Sequence, residues 1–375
     1  MSQNSKKKII LAEPSIPRSK TLSYLKKVLK ENFPNEGKYT RIFENKLSKL
    51  LNVKYVVACT SGTISIFLGL KALGVRREDE VLVPNITFPA TLNAISLLGA
   101  KPVLVDVNKE TLLMSVKNLK KKINKKTRAI LPVHISGRGS NVKEIAKVAK
   151  KNKLFIVEDA AEAFMSSINK KYLGTFGDVG CFSFAPNKII TTGQGGAIVT
   201  NTKSVYLKLK QLKDQGRIGS TTGGEDNYES IGYNFKFTNL QASLGVAQLE
   251  TIKLRIKTLR NNHLFYKKNI KKNKNLKLFN FDLKSGELPL WTDILCSKRN
   301  KLFKFLESKN IIGRYFWHPV NQCKPYKQSF KNLENSKQLQ NKLMWLPSSL
   351  NMKKKDLVKV CWFINQFIEK NYKNE

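Results

Sequence analysis

Between Lys54 and Thr200 the chain alternates short apolar, β-branched runs with amphipathic stretches of helical period, and this alternation restricts the possible fold more than any other feature. Tyr55–Ala58, Glu80–Val83, Pro102–Val105, Arg128–Val133, Leu154–Val157, Gly180–Phe184 and Ala197–Thr200 read as strands. Thr63–Leu73, Ala90–Leu98 and Val142–Lys150 read as helices. Several of the strand runs are apolar at every position, which suits strands buried on both faces rather than strands with one wet side. The expected class is therefore α/β, with a layered, mainly parallel sheet.

Downstream, the polar, glycine-rich GRIGSTTGGEDN (216–227) reads as a mobile surface loop. Thr238 to about Ile270 reads as one long helix. It would join a large unit, residues 1–250, to a smaller C-terminal unit, residues 251–375.

A chain of 375 residues that is 41% hydrophobic can bury cores of this size. No run is long and apolar enough for a membrane span. The basic Lys6–Lys8 is followed by only Ile9–Ala12 before Glu13 and Pro14, too short for a signal peptide, so a cytoplasmic location is expected. Cys59, Cys181, Cys296, Cys323 and Cys361 share no CxxC spacing, and the three histidines stand apart from them and from one another. Reduced thiols and no metal site are expected. The formal charge of +41 is spread along the whole chain. A nucleic-acid interface would gather it on one face among aromatics, so a solvated basic surface that steers anionic substrates is the better reading.

Four segments fall where an α/β sheet places its ligands, at the carboxyl ends of strands. Thr60-Ser61-Gly62-Thr63 lies between a strand and a helix, where free N–H groups and a positive dipole end suit a phosphate; an ordinary N-cap at Ser61 explains it equally well. Asp159, after the apolar run, can hold a ring nitrogen protonated, though an Asp at a strand end is by itself more often a turn or cap residue. Lys188, in Ser183-Phe184-Ala185-Pro186-Asn187-Lys188, follows a buried strand and precedes the turn-forming Gly193-Gln194-Gly195-Gly196. An inward-pointing lysine there can form a Schiff base. Gly232-Tyr233-Asn234-Phe235-Lys236-Phe237-Thr238-Asn239 mixes aromatics and amides before a helix, and serves either a binding role or loop packing.

In combination with PNITFPATLNA (84–94), EDAAEA (158–163), GTFGDVGCFSF (174–184) and NKIITTGQGGAIVT (187–200), these segments resemble the DegT/DnrJ/StrS sugar aminotransferases over roughly residues 10–350. EDAAEA and NKIITTG look most like the GDP-perosamine synthase branch. The resemblance implies an aspartate-aminotransferase-like, fold type I enzyme that uses pyridoxal 5′-phosphate. Lys188 would carry the cofactor and shuttle the proton, and Asp159 would pair with its ring nitrogen. Ser183, Gly62 and Thr63 would hold the phosphate, Phe88 would stack on the ring, and Glu162 would stand near the ring hydroxyl. Asn234 would reach the phosphate from a neighbouring subunit, which implies a homodimer with shared active sites. Glutamate would give the amino group, and a nucleotide-linked keto-sugar, of the 4-keto-6-deoxy kind, would receive it for cell-surface polysaccharide or glycan synthesis.

The sequence departs from the family pattern in three places. His134-Ile135-Ser136-Gly137 stands where relatives often show His-Leu-Tyr-Gly. Lys236 replaces the usual arginine and cannot form a bidentate fork. Phe316-Trp317-His318-Pro319-Val320-Asn321 replaces a Tyr-Pro-x-His stretch, and makes His318 a candidate substrate contact alongside Lys236. His134 reads as structural or near the cofactor, and His263, on the long helix, as a surface residue. Two alternatives compete: a dehydratase of the same fold, whose relatives replace the lysine with histidine or carry clustered cysteines, and a non-catalytic regulator, which would have lost Lys188 or Asp159. This chain keeps both residues.

Overall fold

The computed structural model describes residues 8–139, 141–219 and 227–372. Strand β1 (Ile9–Ile10) precedes a central sheet of seven strands: β2 (Tyr55–Cys59), β3 (Glu80–Pro84), β4 (Lys101–Val105), β5 (Thr127–Ile130), β6 (Phe155–Asp159), β7 (Val179–Ser183) and β8 (Gly196–Thr200). Their spatial order is β2-β8-β7-β6-β5-β3-β4. Neighbours from β4 across to β7 are parallel, and β8 runs antiparallel between β2 and β7. The seven strands expected from the sequence are all present, displaced by a residue or two, except that β5 ends at Ile130 and leaves Val133 to a single bridge with Asp159.

Helices α1 (Gly62–Ala72), α2 (Pro89–Ser96) and α3 (Val142–Lys151) cover the sheet near their expected positions. The approach of α1 to the sheet is close because of Gly69: a β-carbon there would lie 2.9 Å from Val179 Cγ1. Every residue of β3 and of β8 is buried, in keeping with the unbroken apolar runs.

The stretch expected to form one long helix forms two, α4 (Asn239–Leu249) and α5 (Ile252–Asn269). The break falls at Glu250 and Thr251. The Thr251 hydroxyl donates to the Gln248 carbonyl at 2.9 Å and accepts from Arg255 Nε at 2.8 Å, so it satisfies groups on either side of the interruption.

Beyond α5, strands β9 (Leu276–Leu278), β10 (Thr292–Cys296), β12 (Arg314–Tyr315) and β13 (Leu343–Leu346) form an antiparallel sheet in the order β9-β10-β13-β12. Strand β11 (Ile311–Ile312) pairs instead with β1, parallel, Ile9 opposite Ile311. Ile9 accordingly packs in the core formed by Ile294, Leu302, Val360 and Ile364 rather than against the central sheet. Most of the mobile loop expected at 216–227 lies outside the described residues. No helix among the described residues is long and apolar enough to cross a membrane.

Two of the histidines find buried places. His134 Nε2 lies 2.7 Å from Glu158 Oε2, both side chains sealed from solvent. Glu158 also accepts the amides of Gly174 (2.8 Å), Phe176 and Gly177 (both 2.6 Å), so the pair pins the turn before β7 and is structural. His263, expected on the surface, is only 1% exposed. It sits edge-on to Phe281, ring centroids 5.0 Å apart, and neither ring nitrogen has a hydrogen-bond partner among the described residues. Burial, with a smaller push from the Arg138 and Lys267 charges, pulls its pKa down to about 4. The error has a physical source: of the buried α5 positions, Arg255, Asn262 and His263 are polar, so an apolar stripe does not mark the inward face.

Candidate active site

At the carboxyl ends of the parallel strands lies a cleft of about 320 Å³. Gly62, Thr63, Phe88, Asp159, Glu162, Ser183 and Lys188 all line it, so seven of the ten residues singled out from the sequence meet in one place. A larger surface hollow of about 630 Å³ lies beside Tyr24, but its carboxylate, Glu31, is spent on Lys38 at 2.7 Å. Chemistry rather than size marks the site.

Each functional side chain is delivered by an identifiable device. Asp159 is the last residue of β6, with its main chain bonded on both sides: its N–H donates to Pro132 (2.9 Å) and its carbonyl accepts from His134 (3.0 Å). Thr91 Oγ1 donates to Asp159 Oδ2 at 2.8 Å and the Ala161 amide to Oδ1 at 3.1 Å. Burial pushes the Asp159 carboxyl upward, and the Thr91 and Ala161 bonds and the Lys188 charge only partly offset it. A carboxylate in that state gains from a cationic N–H brought against it.

Lys188 follows β7 on a turn, its amide donating to the Ala185 carbonyl at 3.1 Å. The segment after it is held from behind by the two helices. Gln248 of α4 accepts the Thr191 amide at 3.0 Å and donates to the Thr191 carbonyl, and Arg255 of α5 donates to the Ile189 carbonyl at 2.9 Å. The Lys188 ammonium, 12% exposed, lies 3.4 Å from Glu162 Oε1. Glu162 is itself fixed: Trp291 Nε1 donates to Oε1 at 3.0 Å and the Ser136 amide to Oε2 at 2.9 Å.

The Ser61–Thr63 corner opens α1 beside Ser183. Ser61 caps α1, its hydroxyl accepting from the Ile64 amide at 3.2 Å. Gly62 has no room for a side chain, since a β-carbon would fall 2.7 Å from Ser183 Cβ. A small, N–H-rich floor faced by a serine hydroxyl is a seat for an anionic group. Phe88 is half exposed at the rim, 5.5 Å from Trp317 between ring centroids.

Asn234, Lys236 and His318 are not among the cleft's lining residues. Asn234 is exposed and bridges to Asp214 through the main chain. Lys236 is ion-paired to Asp214 at 2.9 Å. His318 is exposed, and its neighbours Trp317 and Arg314 line the cleft in its stead. Arg314 was missed because nothing in its local sequence distinguishes it from the other cations of a lysine-rich chain; only its place on the edge strand β12 brings it to the cleft. Among the described residues it pairs with no carboxylate, though its guanidinium lies 5.9 Å from the Trp345 ring centroid. Thr91 was hidden for a related reason, being an ordinary-looking helix residue until the fold sets it against Asp159.

The residues present fit pyridoxal phosphate. Lys188 offers the amine, buried Asp159 offers a carboxylate in want of a cation, and the Gly62 floor offers an anion seat, all within one cleft of ligand size. Comparison with known proteins agrees with this arrangement. The family model described as DegT/DnrJ/EryC1/StrS aminotransferase matches residues 16–365. The GDP-perosamine synthase of Escherichia coli O157:H7 is 36% identical over 337 residues, covering 89% of this chain and 91% of that protein. The dTDP-4-amino-4,6-dideoxy-D-glucose transaminase of Shigella dysenteriae is 30% identical over 361 residues, covering 91% and 94%. Among solved structures, Helicobacter pylori PseC, an aminotransferase involved in the biosynthesis of pseudoaminic acid, superposes with a TM-score of 0.90 at 25% identity, covering 97% of this chain and 100% of that one. The fold is thus the aspartate-aminotransferase-like fold type I, and the chain belongs to the DegT/DnrJ/EryC1/StrS aminotransferase family.

Proposed function

We propose that this protein is a pyridoxal-phosphate-dependent aminotransferase that moves an amino group from glutamate to a nucleotide-linked keto-sugar, of the 4-keto-6-deoxy kind, for cell-surface polysaccharide synthesis. The observation that carries the reading is the meeting of Lys188, Asp159 and the Gly62 anion seat in one cleft. When bound, the cofactor supplies an aldehyde for amines to condense with and a cationic ring that accepts the electron pair released at the substrate carbon. Asp159 holds the ring nitrogen protonated, and burial makes that ion pair worth more than it would be in water. The Gly62–Thr63 amides and Ser183 anchor the phosphate, and Phe88 covers one face of the ring. Lys188 would hold the cofactor through its amine, and that amine, once free, would move a proton at the donor's α-carbon. Glu162 keeps the lysine amine turned toward the cleft. Arg314, a cation on the cleft wall without a carboxylate partner among the described residues, receives an anionic group of the substrate.

Several finer points belong to the same proposal. The protein works as a homodimer in the cytoplasm, and Asn234, outside its own chain's cleft, reaches the phosphate of the partner's site. Residues 1–250 form the large unit and 251–375 the small one, with β1 tied into the latter. Lys236 and His318 act on substrate from outside the cleft of their own chain. Retention of Lys188 weighs against the dehydratase reading, and retention of both Lys188 and Asp159 against the regulator.

The test is reduction of the cofactor-loaded protein with borohydride followed by peptide mass spectrometry. The cofactor is expected on Lys188, and Lys188→Ala is expected to fold normally and transfer nothing. A label elsewhere, or normal turnover by that variant, defeats the proposal. A screen of nucleotide-linked 3-keto and 4-keto sugars with glutamate, read as a gain of one amino group, then identifies the acceptor.

A further inference from the structure

One buried hydrogen-bonded chain leads from the C-terminal sheet to the lysine. Glu162 Oε1, the oxygen that faces Lys188, accepts the indole N–H of Trp291, the residue immediately before β10. Glu162 Oε2 accepts the amide of Ser136. Ser136 is held in a left-handed backbone conformation, φ +53°, and its hydroxyl donates to Asp293 Oδ1 of β10 at 2.8 Å. The Trp345 indole donates to that same hydroxyl at 3.3 Å, and Asp293 Oδ2 meets Arg138 Nη2 at 2.5 Å. Ser136, Trp291, Asp293, Arg138 and Trp345 are all at most 3% exposed. Apart from Lys188, the donors to Glu162 among the described residues both depend on contacts with the C-terminal sheet, directly through Trp291 and at one remove through Ser136. A serine also explains how this corner works without the family's usual aromatic. The left-handed corner is kept by a hydroxyl bonded to Asp293, and Trp345, whose indole donates to that hydroxyl, lies 6.1 Å from Trp291 between ring centroids.

We propose that Trp291 is a positioning residue for proton transfer: its N–H fixes the rotamer of Glu162, and so aims the Lys188 amine at the reacting carbon. Without that donor, Glu162 Oε1 would be left with the lysine alone, and the carboxylate would be free to turn about the bond held by Ser136. The lysine would lose its fixed partner while the phosphate seat and Asp159, which Trp291 does not touch, stayed as they are. This rests on the functional reading given above, and adds to it that the C-terminal sheet acts on the lysine through one indole hydrogen.

The experiment is a double-mutant cycle on the loaded enzyme with Trp291→Phe and Glu162→Gln. It reads cofactor dissociation by fluorescence and the exchange of the glutamate α-hydrogen with solvent by mass spectrometry. Loss of one hydrogen bond to a charged group predicts exchange slower by about 10- to 100-fold in W291F. Cofactor affinity is expected to change less than about threefold, because the anchoring groups are untouched. If Trp291 acts only through Glu162, the double variant exchanges no more slowly than E162Q alone. Where W291F lowers the folded fraction by circular dichroism, benzothienylalanine at position 291 keeps the ring shape without the N–H and is read in the same way. Exchange at the wild-type rate in the variant, or effects that add in the double variant, overturns the inference and leaves the aminotransferase reading standing. A wild-type protein that neither binds pyridoxal phosphate nor exchanges the hydrogen overturns that reading itself.

Discussion

Replacing His263 with leucine should make the protein more stable, and increasingly so as the solution is acidified. The ring is 1% exposed and has no hydrogen-bond partner for either nitrogen among the described residues. Burial has taken its pKa from the ordinary 6.5 to about 4. The sign follows from proton binding. Between those two values the unfolded chain carries a proton that the folded protein refuses, so acidification favours unfolding. The contribution is absent above the unfolded value, grows as the pH falls below it, and levels off below the folded value. A shift of this size corresponds to about 3 kcal/mol when complete, and to about 2 kcal/mol near pH 5. Leucine has similar bulk, suits a helix interior and cannot be protonated. The stability gap between His263→Leu and the wild type should therefore widen by about 2 kcal/mol between pH 7 and pH 5. Urea unfolding of both proteins at the two pH values, followed by circular dichroism, measures it, and comparing the two proteins cancels the titration of every other group. A gap that stays constant would refute the reasoning, because it would mean that the ring accepts its proton without leaving its place.

Two further outcomes follow from the cleft. Asp159→Ala should weaken cofactor retention and slow transfer by about 100-fold or more, since it removes the carboxylate that Thr91 donates to and that would face the ring nitrogen; unchanged cofactor binding by equilibrium dialysis would remove its role. Arg314→Ala should raise the KM of one anionic substrate about 10-fold while leaving cofactor affinity alone, and steady-state kinetics with each substrate varied in turn shows which one; equal KM values would take Arg314 out of recognition.

The large sheet was legible because strands buried on both faces leave unbroken apolar runs, and β3 and β8 are buried at every position. The cleft residues were legible because each sits in a local pattern with a mechanical reason: a helix start at Gly62, a strand end at Asp159, a turn at Lys188. What stayed hidden was relational. Thr91, Ser136 and Trp291 matter only for what the fold places against them, and no spacing along the chain announces that. α5 misled in the opposite direction, since its inward face carries Arg255, Asn262 and His263. Arg255 faces inward to hold the Ile189 carbonyl next to Lys188, a task that needs a donor and so spoils the apolar stripe.

The pairing of Ile9 with Ile311 has a consequence for how the molecule is made. On the ribosome the first strand emerges with no mate, and waits for roughly 300 more residues, about 15–60 s at ordinary elongation rates, before its partner exists. The large sheet can assemble in that interval from strands already synthesised. The amino-terminal strand cannot, so the beginning of this chain is among the last parts to find its place.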